Sequence, residues 1–150
     1  MPIHWTLKPY HQLLTDELYS ILQLRSAVFV VEQSCAFQDM DNKDKLAWHL
    51  MGWQDQQLVA YTRLLPPGAA YTCASIGRVV TASVARRTGA GRELMTRSIA
   101  ETERLFGKGP IKIGAQLYLR EFYQSLGFEQ TSDIYDEDGI DHIEMIRGGD

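Results

Sequence analysis

The sequence predicts an α/β fold of the α+β type, with a mixed central sheet of about six to seven strands flanked by about four helices. Three observations carry that prediction. Strand-like and helix-like runs follow one another in the order β-α-(α)-β-β-β-α-β-α-β-β. In the middle, the strand-like run 73–81, the helical pattern 92–106 and the strand-like run 111–115 form a strand, crossover helix, strand unit, which requires a parallel pair. Near the end, Asp138-Gly139 sits between two strand-like runs and signals a hairpin, which requires an antiparallel pair.

Residues 3–8 predict a first strand around Ile3, Trp5 and Leu7. Thr15-Asp16-Glu17 then reads as a helix start, with a capping side chain and acidic first-turn residues. Leu18, Ile21, Leu22, Arg25 and Phe29 follow at helical spacing, so this helix runs for about 15 residues. The β-branched run 28–31 either extends it or leaves it. Residues 32–47 are polar and irregular and read as a loop with at most one short helix. Runs 48–53 and 58–65 are strand-like, joined by Asp55-Gln56-Gln57, a hairpin turn without glycine. Pro66-Pro67-Gly68 ends the second strand, and 73–81 pairs with it as the third. In the helix after it, Met95, Ile99, Thr102 and Phe106 share a face with Leu94 beside them, and Gly107 and Gly109-Pro110 stop the helix. A short strand at 111–115, a short helix at 119–126 closed by Gly127, and strands at 128–135 and 142–147 complete the chain. No repeat, linker or low-complexity segment is visible, so residues 1–150 read as one domain.

Composition narrows the function. With 45% hydrophobic and 23% charged residues, the 150-residue chain can bury a core without staples. Its longest apolar run, Ala27-Val28-Phe29-Val30-Val31, is too short to span a bilayer, and no basic leader with an apolar stretch opens the chain, so neither membrane nor signal peptide is expected. Two cysteines, Cys35 and Cys73, without close spacing argue against a disulfide framework or zinc site and for a reducing cytoplasm. His4, His11, His49 and His142 show no ligand spacing, so no metal is expected. A net charge of −4 argues against general nucleic-acid binding. Yet Arg86, Arg87, Arg92, Arg97 and Arg104 cluster, which suits a small polyanionic ligand.

That cluster surrounds Arg86-Arg87-Thr88-Gly89-Ala90-Gly91, at the opening of the 92–106 helix. Glycine lets a ligand approach the backbone, and a helix start offers unpaired N–H groups to an anion. A dinucleotide fingerprint would need glycine where Leu94 stands, and a P-loop would need Gly-Lys-Ser/Thr; both are excluded. Read by itself, the stretch is equally an anion seat or an ordinary connection.

The element order together with Arg86-Arg87-Thr88-Gly89-Ala90-Gly91 resembles the GNAT superfamily of N-acetyltransferases, whose signature Gln/Arg-x-x-Gly-x-Gly/Ala lies between the fourth strand and the third helix. The segment from Gln116 to Phe128 is similar to that family's Asn-x6-Tyr-x3-Gly-Phe signature, with Gln116 in the Asn position. Arg25-Ser26-Ala27-Val28-Phe29-Val30-Val31-Glu32-Gln33 and Tyr135-Asp136-Glu137-Asp138-Gly139-Ile140-Asp141-His142-Ile143 resemble the ElaA-like branch more narrowly. The resemblance implies a GNAT fold, splayed between strands 4 and 5, and acetyl-CoA as cosubstrate. It implies that Arg86, Arg87, Thr88, Gly89, Ala90, Gly91 and Arg92 receive the pyrophosphate, that Val79, Val80 and Thr81 pair with the pantetheine arm as an added strand, and that Gln116 contacts the arm from the other side. It further implies an oxyanion donor at the Val80 N–H and Tyr123 as the acid that protonates the departing thiolate. Without the resemblance Tyr123 reads as a core tyrosine.

The expected reaction is acetyl transfer to a primary amine of a small or protein-borne acceptor, by direct attack on the thioester. An amine with pKa near ~10.4 must first lose a proton. Base candidates are Glu32, His49, His142 and Glu144, or water, with His142 foremost because it titrates in the right range. Cys35 and Cys73 lack an adjacent His or glycine-rich elbow to activate an acyl-carrying nucleophile, and Cys35 alone stays as an alternative because it lies in the loop near the expected acceptor cleft. The acidic groups Asp39-Asp41-Asp44 and Asp133-Asp136-Glu137-Asp138-Asp141 read either as solvated surface or as an attractor for a cationic amine. The alternatives are a non-catalytic acyl-CoA-binding or regulatory module and a structural subunit. Free sheet edges suit a homodimer.

Overall fold

The structure is a computed structural model and describes residues 2–148; position 1 and the last two positions of the predicted 1–150 domain lie outside the described residues. Strand β1 (His4–Pro9) is followed by helix α1 (Thr15–Arg25). The expected cap is displaced. Thr15 is already helical, the N-cap is Leu14, and the Glu17 carboxylate accepts the Leu14 N–H at 2.8 Å. A carboxylate at that position also complements the positive helix start. The β-branched run extends the helix, but as a π-helical segment, Ser26–Glu32. Its wide turns are visible in bonds from Gln33 N to Val28 O (3.1 Å) and Cys35 N to Val30 O (3.0 Å). Crowded β-branched side chains fit a widened turn better than a tight one.

β2 (Trp48–Gln54) and β3 (Gln57–Leu65) form the expected hairpin. Its turn residues Asp55 and Gln56 both take positive φ, 49° and 67°, as a type I′ turn demands even without glycine. β4 (Ala74–Thr81) pairs antiparallel with β3, and α2 (Ala90–Phe106) crosses to β5 (Ile111–Gln116). α3 (Arg120–Gln124) follows, then β6 (Phe128–Gln130), β7 (Tyr135–Glu137) and β8 (Ile140–Arg147). The sheet has eight strands, in the order β1-β2-β3-β4-β5-β8-β6 with β7 also on β8. The extra strand arises because the run 128–135 is broken. β6 and β7 share one edge of β8, and across the gap the Ser132 hydroxyl accepts the Glu144 N–H at 2.8 Å in place of a ladder carbonyl. Among the described residues three α-helices stand where about four were expected, the other helical turns being π- and 3₁₀-helical.

The two faces of the sheet are covered separately. Ile21 and Leu24 of α1 pack with Met51, Leu58 and Tyr61. Leu94 of α2 packs with Leu50 and Ala60, while Met95 and Ile99 pack with Leu64 and Ile76. Neighbours on β3 such as Ala60 and Tyr61 thus serve opposite layers, as the period of two requires. The predicted α2 face is buried as expected, and truncating fully buried Leu94 to alanine would remove about 2–5 kcal/mol.

Candidate functional site

β4 and β5 run parallel for only two residue pairs, Ala74 with Ile111 and Ser75 with Lys112. Beyond Ser75 they diverge, which leaves the β5-facing edge of β4 without a strand partner. The gap is a cleft of about 490 Å³, walled by both strands, by α3, by the π-helical segment and by the β7–β8 hairpin. On β4 the register also slips: Arg63 faces Gly77 and Tyr61 faces Val80, so Thr62 alone opposes Arg78 and Val79. This is a β-bulge, and Arg78 in it has φ of 50°.

At the top of the gap a 3₁₀ turn, Ser83–Ala85, leads into α2. Gly89 caps the helix with φ of 85°, and the Thr88 hydroxyl donates to Ala85 O. Glu93 N donates to Gly89 O at 3.1 Å, so the N–H groups of Ala90, Gly91 and Arg92 have no acceptor within the helix. A Cβ at Gly89 or Gly91 would meet nothing within 4 Å, so the approach is open. The backbone of the predicted anion seat is therefore available. Its arginine side chains are largely committed elsewhere. Arg86 donates to both Glu32 oxygens (2.5 and 3.1 Å) and to Thr81 O (3.2 Å). Arg92 donates to Ser125 Oγ at 2.7 Å and lies over the Phe122 ring. Arg87 is exposed, with φ of 64°.

Val79, Val80 and Thr81 line the cleft on one side, and Gln116 and Tyr123 on the other. Gln116 forms a reciprocal amide pair with Gln33, each bond 3.3 Å. The Tyr123 ring belongs to the core, edge-on to Phe122 and Phe128, and the residue also lines the cleft. Its hydroxyl has no hydrogen-bond partner among the described residues, and burial, with help from Tyr118, pushes its pKa up. Burial thus favours the protonated phenol.

The base candidates separate clearly. His49 is fully buried on β2, held by the Tyr61 hydroxyl at 2.6 Å and Asp44 O at 2.9 Å, and lies outside the cleft. Burial lowers its pKa. Glu144 pairs with Lys112 at 3.0 Å and is not part of the cleft wall. Glu32 is in the wall, but its hydrogen bond from Arg86 lowers its pKa and makes it a poor proton acceptor. His142 is in the wall, nine-tenths buried and stacked on Tyr135. Its Nδ1 lies 2.7 Å from Ile140 O, which makes Nδ1 the donor, while Nε2 lies 3.4 Å from Glu137. Cys35 also lines the cleft, its Sγ donating to Asp138 O at 3.0 Å. Burial, then the charges of Asp138 and Asp136, push the thiol pKa up, away from a nucleophilic thiolate. Cys73 does not line it.

Of the two acidic groups, Asp39-Asp41-Asp44 is not available to an amine. Asp39 and Asp44 are bound by Arg25, Asp41 by Arg63, and Asp39 also by Arg78. The sequence reading missed these counter-ions, although a charged residue inside the apolar run 58–65 was a signal that Arg63 needed a buried partner. It also missed Phe37 and Arg78 as cleft residues. Glu137 and Asp138 of the second group do face the cleft. Among the described residues no group of three or more His, Cys, Asp or Glu is arranged to hold a metal ion, and no helix is long and apolar enough to cross a membrane.

Residues 16–147 match the family model of the acetyltransferase (GNAT) domain. The chain is 42% identical to the UPF0039 protein sll0451 of Synechocystis sp., over 97% of this chain and 96% of that one. It is 40% identical, with the same coverages, to Protein ElaA of Escherichia coli. Among solved structures, an acyl-CoA N-acyltransferase from Pseudomonas aeruginosa superposes with a TM-score of 0.93 at 44% identity, covering 97% of this chain and 99% of that one. Escherichia coli ElaA superposes with a TM-score of 0.91 at 39% identity, with the same coverages.

Proposed function

The chain belongs to the GNAT acetyltransferase family, and on that premise we propose that it moves an acetyl group from acetyl-CoA to a primary amine by direct attack on the thioester. It is an acyltransferase, and an acyl-CoA is the family's donor. The observation that carries the finer reading is the meeting, in one cleft, of the open β4 edge, the unpaired helix start at Gly91 and the unpartnered Tyr123.

In this reading the CoA pyrophosphate lies against the N–H groups of Ala90, Gly91 and Arg92. Arg86 joins it only by leaving Glu32. The pantetheine arm pairs with the edge at Val79, Val80 and Thr81. The protonated amine gives a proton to His142 Nε2, and Glu137 stabilises the imidazolium that results. The neutral amine nitrogen then attacks the thioester carbon, and the Val80 N–H holds the developing oxyanion. As the oxyanion collapses and the C–S bond breaks, Tyr123 gives its proton to the thiolate sulfur. The second proton of the attacking nitrogen passes by way of solvent to the tyrosinate, leaving a neutral amide and restoring the phenol. Gln116, engaged with Gln33, closes the β5 side of the cleft.

Thiol release from acetyl-CoA across a panel of amines, run beside calorimetric titration of CoA, tests this. Saturable binding with release by at least one amine is expected. Binding without release from any amine would favour a non-catalytic acyl-CoA module, and absence of both would overturn the reading.

A further inference from the structure

Given acetyl-CoA as the donor, we propose that Arg78 is a positioning residue whose pairing with Asp39 holds the β4 bulge so that the Val79 and Val80 amides serve the thioester carbonyl. Arg78 sits in the bulge with φ of 50°, in the left-handed region that side-chain-bearing residues seldom occupy. Such a conformation persists only when its surroundings over-determine it. Here they do so through the side chain. Arg78 Nε forms an ion pair with Asp39 Oδ1 at 2.7 Å without hydrogen-bond alignment, and the directional hold comes from Nη2, which donates to Asp39 O at 2.8 Å and reaches Asp41 Oδ2 at 3.4 Å.

Asp39 is itself immobilised from behind. The fully buried Arg25 of α1 donates from Nε to Asp39 Oδ2 at 2.7 Å and from Nη2 to Asp39 O at 3.3 Å. Arg25 also holds Asp44 at 2.7 Å, and Arg63 of β3 holds Asp41 at 2.8 and 3.0 Å. The network has three arginines and three aspartates and is neutral within itself, so it is not an empty seat for a charged ligand. It ties α1, β3 and β4 to one polar loop.

Stability alone does not account for this arrangement. A buried ion network is often no more stabilising than apolar side chains of the same volume. Glycine would adopt the bulge conformation without strain and without an anchor. What arginine adds is a fixed direction at the residue immediately before Val79 and Val80, both of which line the cleft. Donors that stabilise an oxyanion must be held in advance, because a bulge free to relax would dissipate the effect.

The test uses acetyl-CoA labelled with ¹³C at the thioester carbonyl and isotope-edited infrared spectra of the wild-type protein and of Arg78→Gly, Arg78→Lys and Asp39→Asn. Arg78→Gly removes the anchor but keeps the backbone conformation accessible, so it is the variant best able to fold. Asp39→Asn removes the charge of the same ion pair from the other partner and keeps the main-chain acceptor of Nη2. The wild-type band is expected to shift to lower frequency than aqueous acetyl-CoA. Arg78→Gly and Asp39→Asn are expected to lose at least half of that shift while their calorimetric Kd for acetyl-CoA stays within about threefold. Arg78→Lys, which keeps a charge on Asp39, is expected to lose less. An Arg78→Gly band at the wild-type position, with acetyl-CoA bound, overturns the role of Arg78 and leaves the acetyl-CoA reading intact. Failure of the wild-type protein to bind acetyl-CoA overturns both.

Discussion

Arg25 Nη1 lies 2.7 Å from Asp44 Oδ1, with the guanidinium 0% exposed and the carboxylate 11% exposed. Burial disfavours the charged arginine, but the Asp44 hydrogen bond and the charges of Tyr61, Asp39 and Asp44 outweigh it and raise its pKa. Removing the cation would leave Asp39 and Asp44 with only Arg78 and Arg63, and so one buried negative charge in excess. Arg25→Ala is therefore expected to destabilise the protein by about 3–5 kcal/mol. Urea unfolding followed by circular dichroism measures this directly. A loss below about 1 kcal/mol, the range of an exposed pair, would show that the network is solvated in solution.

The same network predicts a pH dependence. Burial pushes the Asp41 carboxyl up, but hydrogen bonds and charge from Arg63 dominate and hold it down at about 2. The unfolded value is near ~3.9, so the folded pKa is the lower of the two. The stabilisation is complete above about pH 4 and is lost as pH falls toward about 2. For a partly exposed carboxylate it amounts to about 1–2 kcal/mol after screening. Stability measured between pH 5 and 2 should fall more steeply for the wild type than for Asp41→Asn. Parallel curves would assign the acid sensitivity to other groups.

Tyr123→Phe keeps the ring against Phe122 and Phe128 and deletes only the hydroxyl. Turnover is expected to drop about 10²-fold with little change in acetyl-CoA affinity or melting temperature. Because burial raises the hydroxyl pKa, the wild type should show no loss of activity from Tyr123 ionisation at moderately alkaline pH. Unchanged turnover, with chemistry shown to limit the rate, would remove Tyr123 from the mechanism.

Gly91 separates ligand binding from folding. A Cβ there meets nothing within 4 Å, and an acidic residue in the first helical turn is favourable to α2. Gly91→Glu should leave stability equal or slightly higher while weakening CoA binding tenfold or more, since its charge and bulk enter the phosphate seat. Calorimetry with CoA and a thermal melt on the same sample decide it. Undiminished affinity would move the pyrophosphate away from this helix start.

Neutralising the acidic hairpin addresses the acceptor. Asp136→Asn combined with Asp138→Asn is expected to raise KM for a cationic amine several-fold and leave KM for acetyl-CoA unchanged, because Asp138 lines the cleft near His142 while the seat proposed for CoA is at the start of α2. An unaltered amine KM would make the hairpin charges ordinary surface.

The sequence by itself determined those features whose causes lie within a few residues. The Asp138-Gly139 hairpin, the hairpin at Asp55-Gln56-Gln57, the apolar face of α2 and the glycine-rich helix start follow from local backbone freedom and side-chain period, and each appears in the structure. The tertiary structure alone decided which candidates meet. Arg86 reaches Glu32 across 54 positions, Gln33 meets Gln116 across 83, and Cys35 meets Asp138 across 103. No local pattern encodes such closures, because they depend on how the π-helical segment and the β7–β8 hairpin pack about the β4–β5 gap. For the same reason Asp39, Asp41 and Asp44 read as a free acidic group in sequence and proved to be the counter-ions of Arg25, Arg63 and Arg78. His49, another candidate base on the chain, was buried against Tyr61, because it stands on β2 and β3 separates that strand from the gap between β4 and β5.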